Sequence, residues 1–507
     1  MSFCTGSLFF DFLVFVTTSL AVIYTYFKWK YQYWKWRNVP YFEPTIPFGS
    51  LGNPFTTAFE EELVNIYQKA KARGWKYCGL YTLQMPLLLI IDWDLVRRVL
   101  SKDFQYFSDR GTYTNEKDDP VGCHLFAIGG SKWRNLRAKL SPTFTSGRIK
   151  SMFQTLVDCG LVLEKYIEEN ITPKEAVDIK NILGCFSTDV IGSCAFGLDC
   201  NSFKNPNSTF RMYGQKMFFI SKFRALQILF SQSFPNFSRA LGIRQVPKDI
   251  ADFFTKVVED TISYREKSNV TRKDFLQMLI DMRSDKDIKP SGDGTSLSMN
   301  EIVAQSFIFF LAGFETSAST MTFTLFELAT HQDIQDRLRA EIVDVLAGHN
   351  NEITYDSVNE MKYLDQVINE AMRLRPVARL SQRVCTKDYK VPGHDLLIER
   401  GTNVFVSLKG AQHDEEYWEN PQEFNPERFN AENRKNIRQY THMPFGEGPR
   451  ACIGERFGLM QVKVGLICLL RKFKMKLNKR TKLPLKMTAS SIVGCAEGGI
   501  WLNLEKI

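Results

Sequence analysis

The segment Phe445-Gly446-Glu447-Gly448-Pro449-Arg450-Ala451-Cys452-Ile453-Gly454 sets one cysteine after a glycine-rich loop. An apolar helical run follows through Phe457, Met460, Val464 and Ile467. A thiol at the start of a helix meets unpaired backbone N–H groups and the positive end of the helix dipole, which favours its thiolate. Gly448 and Gly454 allow tight turns and a close approach of the backbone to a flat partner. Arg450 adds a fixed positive charge for an anionic group on that partner. A thiolate, a close-fitting backbone and an anion anchor suit a haem whose iron is held by cysteine. Zinc fails on spacing: there is no Cys-x-x-Cys, and His442 is the only His or Cys in the ten residues upstream.

Three further groupings carry chemistry. Ala312-Gly313-Phe314-Glu315-Thr316 interrupts a long apolar run with small residues, an acid and an alcohol. Glycine inside a helix costs about 1 kcal/mol relative to alanine, so a close approach by something bulky is expected there. The Thr316 hydroxyl can reach back to the Ala312 carbonyl and open a groove able to seat dioxygen and pass it protons. The same turn also reads as a helix–helix contact at Gly313 with Glu315 in an ion pair. Trp133 and Arg137, four apart, share a helix face and form a receptor for a carboxylate. Glu370 and Arg373, three apart, also share a face.

Phe445, Gly448, Arg450, Cys452 and Gly454 stand at the spacing F-x-x-G-x-R-x-C-x-G, and on these residues the chain resembles the cytochrome P450 family. The resemblance runs over nearly its whole length. Ala312 to Thr316 matches A-G-x-x-T, and Trp133 with Arg137 matches W-x-x-x-R. Glu370 and Arg373 match E-x-x-R, with Arg428 of Phe424-Asn425-Pro426-Glu427-Arg428-Phe429 as the third member of a buried structural network. The likeness is strongest to the microsomal detoxifying branch, its insect members in particular. It implies a mainly α (α+β) fold with small peripheral β-sheets and a single N-terminal membrane anchor. It further implies haem b with Cys452 as axial ligand, Phe445 beside the sulfur, and Ala312 and Gly313 against the macrocycle. Trp133, Arg137, Arg450, Arg383 and Arg110 would meet the propionates; Thr316 would hydrogen-bond dioxygen while Glu315 feeds protons.

For substrate contacts the resemblance points to Phe126, Phe307, Phe310, Phe314, Val377, Ala378, Leu380 and Ile492, each of which reads equally as plain core. Arg379 departs from the family, whose members mostly carry an apolar residue there; its guanidinium either enters the pocket or points at the haem edge. The implied reaction inserts one oxygen atom of dioxygen into an apolar compound: a xenobiotic, plant toxin, insecticide or endogenous lipophile. Electrons would come from NADPH through a separate NADPH–cytochrome P450 reductase, with cytochrome b5 as an optional second donor, because this chain shows no nucleotide-binding glycine fingerprint. A haem-thiolate isomerase is disfavoured by the retained acid–alcohol pair, and a non-catalytic haem sensor by the open groove.

The elements that must position these groups follow from periodicity. The chain has 507 residues, 44% of them apolar, with 40 phenylalanines and 11 scattered cysteines that suggest no disulfide framework. Leu8 to Phe27 are 20 positions whose only charge is Asp11, enough for a membrane-spanning helix. Lys28, Lys30, Lys35 and Arg37 follow among Tyr31, Tyr33, Trp34 and Trp36, a flank suited to the headgroup layer and to a cytosolic C-terminal side. The expected division is an anchor over 1–27, a basic, proline-rich linker over 28–52, and a haem-thiolate catalytic domain over 53–507, on the cytosolic face of the endoplasmic reticulum membrane. A net charge of +9 fits an anionic membrane surface or an acidic electron donor, and no basic run with stacking aromatics outside the membrane flank suggests nucleic acid.

Within the domain, Lys76 to Ile91 reads as a hairpin and Trp133 to about Met282 as mostly helical, with the phenylalanine-rich stretch Phe203 to Ile243 resembling a mobile roof. Arg283 to Thr295 reads as an exposed loop. Ser298 to Glu301 is a capping box opening a long helix to about Ala329. Strands are expected at Leu396 to Glu399, Asn403 to Ser407, Met487 to Val493 and Ile500 to Leu504.

Overall fold

A computed structural model describes residues 8–53, 58–283 and 296–507. Beyond Arg283, the loop expected before Ser298 falls outside the described residues up to Thr295. The contacts gather into two units: Met1–Ser108 with Leu380–Gly410, and Asp109–Arg379 with Ala411–Ile507.

In the first unit, Leu8–Lys30 is one helix of 23 residues, about 34 Å long, with most of its apolar side chains exposed. It is long and apolar enough to cross a bilayer. The segment after it corrects the expectation of a connector whose aromatics all sit among headgroups. Tyr31 and Trp34 are buried, and the backbone from Pro40 to Ser50 runs beside the strand Tyr77–Thr82, with Gly79 N donating to Pro40 O at 2.8 Å and Ser50 N to Tyr81 O at 2.8 Å. Burial wins because the hairpin offers a notch at a glycine, described below.

The expected hairpin forms from Tyr77–Thr82 and Met85–Ile90, in register Tyr77 to Ile90. A four-stranded sheet follows in the order Tyr77–Thr82, Met85–Ile90, Asn403–Ser407, Leu380–Val384. Met85–Ile90 pairs with Asn403–Ser407 in parallel, and that strand pairs antiparallel with Leu380–Val384. Asn403–Ser407 is buried at every position, as a central strand should be. Leu397–Ile398 makes only a two-residue ladder with Tyr389–Lys390.

The second unit is built round the 32-residue helix Met299–Thr330, opened by the expected capping box of Ser298 and Glu301. It packs on the helix Ile179–Ile191. At their contact, a Cβ on Gly313 would lie 2.6 Å from Ile191 Cδ1. Gly313→Val is therefore expected to destabilise the fold by about 1–3 kcal/mol through overpacking. Thermal melting with a parallel haem assay checks this: a lower midpoint with normal haem content marks a packing glycine, whereas haem loss at an unchanged midpoint marks a cofactor contact.

The helix Glu455–Leu470 lies against the same long helix and against Ser146–Asn170. A small sheet orders Val177–Asp178, Trp501–Lys506 and Phe473–Leu477. The strand expected at Met487 to Val493 does not form. Met487 bridges Ala496 and Ser491 bridges Phe219, but each is an isolated pairing. Thr488 N to Cys495 O at 2.9 Å and Glu497 N to Lys486 O at 2.8 Å close the chain on itself, so turns replace a ladder.

Candidate functional site

Backbone hydrogen bonds shape the cysteine loop. Gly446 N donates to Met443 O at 3.0 Å, Ala451 N to Gly448 O at 2.9 Å, and Cys452 N to Phe445 O at 2.8 Å. Phe445 thus holds Cys452 through its carbonyl. Gly446 and Gly448 have φ of +73° and +76°, a region that glycine enters without strain. Gly454, expected to share that role, has φ −95° and instead caps the helix Glu455–Leu470. Cys452 therefore precedes the helix rather than opening it.

The Cys452 side chain is exposed, yet protein rings its sulfur. Burial pushes the thiol above its usual pKa and Glu455 adds to this, while the Gly454 N–H, Arg137 and Arg110 oppose it. The helix-start argument is thus outweighed: position 452 is too far from the first turn, and an acid occupies that turn. A bound metal cation is the agent that would deprotonate the thiol.

Four cations gather round this loop or were expected there. Arg450 is buried and stacks over Trp133 at 3.9 Å, donates to Ile128 O at 2.9 Å, and lies 3.6 Å from Asp109 Oδ1. Trp133 accordingly gives its ring face to Arg450. Arg110 donates to Arg450 O at 2.8 Å and to Phe126 O at 3.3 Å. Arg137 is half-buried; burial lowers its pKa, and among the described residues only Cys452 contributes a charge that opposes this. Arg383 belongs to the first unit, on Leu380–Val384, where it donates to Gln382 O at 2.8 Å. Its Nε is buried with no hydrogen-bond partner among the described residues, and burial pushes its pKa down to about 10.

On the long helix, Thr316 Oγ1 donates to Ala312 O at 2.5 Å, the back-bond expected from sequence. Ala312 is exposed in the middle of a mostly buried helix, so a space opens there. Gly313 faces Ile191, and Glu315 lies 2.5 Å from Lys180 Nζ. The turn therefore combines both alternatives: an open alcohol on one residue and a packed glycine with an ion-paired acid on its neighbours. Burial opposes the Lys180 charge, but Glu315 and then Cys495 outweigh it and raise its pKa. Lys180 and Glu315 line a cavity of about 210 Å³ with Arg211, Gln215, Ser319 and Cys495. Sequence reasoning missed Lys180, a lone lysine in an apolar helix; the unmatched buried acid was the one available signal.

The substrate candidates divide. Phe307, Phe310 and Phe314 are almost wholly buried, and Phe314 lines the cavity shared by Lys180 and Glu315. The three rings also pack on Phe210, Phe218 and Phe254, with Phe210 to Phe310 at 4.4 Å and Phe254 to Phe307 at 5.2 Å. Phe126, Ala378 and Ile492 are exposed, and Val377 and Leu380 are half-exposed, Leu380 within the first unit. Arg379 is buried beside Phe323 and Gly494, where a Cβ on Gly494 would stand 2.8 Å from its Nη2. Glu370, Arg373 and Arg428 form the expected buried network, with Arg373 Nε donating to Glu370 Oε2 at 2.7 Å and Arg428 Nε to Glu370 Oε1 at 3.3 Å.

These residues fit a haem. The donor set is an accessible sulfur, a cation (Arg137) with no acid partner among the described residues, and an exposed alanine with an adjacent hydroxyl on a buried helix.

The family model described as Cytochrome P450 matches residues 42–502. Curated relatives span the chain. Cytochrome P450 6a9 of Drosophila melanogaster is 40% identical over 489 residues, covering 96% of this chain and 97% of the relative. Cytochrome P450 6a2 of the same fly is 38% identical over 502 residues, covering 98% and 99%. Cytochrome P450 6A1 of Musca domestica is 40% identical over 503 residues, covering 98% of each.

Proposed function

The chain belongs to the cytochrome P450 family of haem-thiolate monooxygenases, and from that premise we propose that it oxygenates lipophilic xenobiotics or endogenous lipophiles with electrons drawn from NADPH. The cysteine loop, with its accessible sulfur and neighbouring arginines, is the observation that supports this most directly. Cys452 would hold the iron, with Ala312 beside the macrocycle and Arg137, Arg110 and Arg450 offering charge to its carboxylates. When bound, the haem supplies the iron chemistry that splits dioxygen.

The protein's own part is proton handling and orientation. Thr316 holds a hydroxyl hydrogen on the Ala312 carbonyl and can turn it toward a reacting oxygen. Glu315 is the acid that restores that proton; it is paired with Lys180 at 2.5 Å and faces the cavity. Trp133 orients Arg450 through its ring. Electrons reach the site from NADPH–cytochrome P450 reductase, and cytochrome b5 serves as a second donor. The apolar N-terminal helix fits a membrane anchor; in our reading it holds the catalytic part on the cytosolic face of the endoplasmic reticulum.

Reconstitution with the reductase, NADPH and a chemically diverse panel of lipophiles tests the reading. Products carrying one atom from labelled dioxygen, and none without reductase, are expected. Rearrangement of peroxides without reductase, with no oxygenation of any panel member, would put the protein in the isomerase class instead. Thr316→Ala is expected to lower product formation by about 10²-fold, the scale of a lost general acid, while NADPH consumption continues and appears as hydrogen peroxide. Product and peroxide yields per NADPH check it.

A further inference from the structure

The aromatic residues after the N-terminal helix do not share one environment. Trp34 is 2% exposed and Tyr31 4%, whereas Trp29 is 54% and Trp36 58% exposed. Trp34 lies across Gly79 of the first hairpin strand, where any side chain would collide with its indole. Trp34 Nε1 donates to Leu80 O at 3.0 Å, and its backbone N–H donates to Tyr81 Oη at 3.1 Å. Tyr81 Oη in turn donates to Tyr31 O at 2.9 Å. One turn inside the helix, Tyr26 hydrogen-bonds Gln84 in the hairpin turn. Beyond the joint, Arg37 stacks on Tyr33 at 3.6 Å and grips Glu399 with Nη2 at 2.7 and 2.9 Å. No free linker separates the apolar helix from the sheet.

The outer side of this joint has a chemistry of its own. The Trp29 and Trp36 rings lie 6.3 Å apart, and Lys30 Nζ stands 5.0 Å over Trp29. Lys28 and Lys35 are exposed beside them, and residues 28–37 contain no acid. Indoles rimmed by ammonium groups, at the level where an apolar run ends, match the headgroup layer of an anionic bilayer.

We propose that residues 26–37 form a rigid joint seated in that headgroup layer: Trp29, Trp36, Lys28, Lys30 and Lys35 contact anionic lipid, while Trp34 in the Gly79 notch passes the tilt of the membrane helix to the sheet of the first unit. The unit is then held at one angle to the membrane instead of swinging on a tether. This depends on the helix entering a bilayer and not on the oxygenation chemistry, so its failure is separable from failure of the proposed activity.

The test uses the full chain in supported bilayers of phosphatidylcholine and phosphatidylserine, read by the amide I dichroic ratio in polarised infrared reflection. The wild-type ratio is expected to depart from the isotropic value. Gly79→Ala, which evicts Trp34, moves it toward isotropic with the membrane-bound fraction unchanged. Gln84→Ala removes only the Tyr26 partner and gives a smaller shift in the same direction, so it carries the test should Gly79→Ala fail to fold. A wild-type ratio in a folded Gly79→Ala or Gln84→Ala protein overturns the joint. For the seat, brominated lipids are expected to quench a tryptophan component that the Trp29→Phe, Trp36→Phe double variant lacks; equal quenching in both proteins overturns it.

Discussion

Cys452→Ala is expected to give a folded protein that has lost the red-shifted Soret band of its reduced carbon monoxide complex and all measurable oxygenation. The fold survives because the loop is closed by main-chain bonds, Cys452 N to Phe445 O and Ala451 N to Gly448 O, which alanine keeps. The chemistry does not survive, because the sulfur proposed to hold the iron is gone, and thiols such as Cys468 and Cys200 are poor substitutes. Cys468 is fully buried and burial pushes its pKa up to about 12; Cys200 is held equally high, also by burial. Such thiols behave as small apolar side chains. Cys468→Ala is therefore the control, expected to keep the band. Cys452→Ser separates shape from sulfur: it fills the same space but offers a hard, weakly acidic oxygen, so any bound haem should lack the thiolate spectrum. Spectra of purified protein at matched haem content decide it. A persisting thiolate band in Cys452→Ala would falsify the assignment of the axial ligand.

What was legible in the sequence was what is encoded locally. The Ser298–Glu301 capping box, the Tyr77–Ile90 hairpin and the Asn403–Ser407 strand each need only neighbours in the chain, and each formed where expected. The Thr316 back-bond is likewise an i to i−4 event. What failed depends on partners far away. Leu380–Val384 carries three consecutive polar residues, Ser381, Gln382 and Arg383, and becomes a strand only because Asn403–Ser407 has a free edge for it. Met487 to Val493 has strand-like residues but no edge to join. Glu315 could not announce Lys180, which lies 135 positions earlier and reaches it only when two helices cross at Gly313. Phe307, Phe310 and Phe314 have the helical spacing of either a pocket wall or a core seam. The aromatics of Thr209–Phe218 and Lys248–Ser268, far away in sequence, pack against them, while Phe314 also lines a cavity.

Arg373→Ala should be the most destabilising substitution in the chain, and its effect should fall on folding rather than on turnover. Arg373 and Glu370 are both fully buried. The guanidinium meets both oxygens of Glu370, at 2.7 and 2.8 Å, and donates to the carbonyls of Gln412 and Pro421 at 2.8 Å and of Glu423 at 3.0 Å. Five bonds from one planar fork tie the helix Lys362–Leu374 to the irregular chain between 412 and 423. Removing it strands a buried carboxylate and three carbonyls, and breaking a buried pair from one side costs about 3–5 kcal/mol. Against a typical total stability of about 5–15 kcal/mol, most of the protein should fail to accumulate in soluble form. Arg373→Lys should rescue little, since a single ammonium cannot span the carboxylate and three carbonyls at once. Arg428→Ala should cost far less, because Arg428 retains some solvent contact and reaches Glu370 through one 3.3 Å bond while Asn425 N, at 2.9 Å, still serves the same oxygen. The order is therefore wild type, Arg428→Ala, Arg373→Lys, Arg373→Ala in falling soluble yield and melting temperature. Added salt should not change it, because the pair is buried and poorly screened. Turnover per haem in whatever folded fraction remains should match the wild type. A well-folded Arg373→Ala protein with slowed turnover would move this triad from scaffold to chemistry.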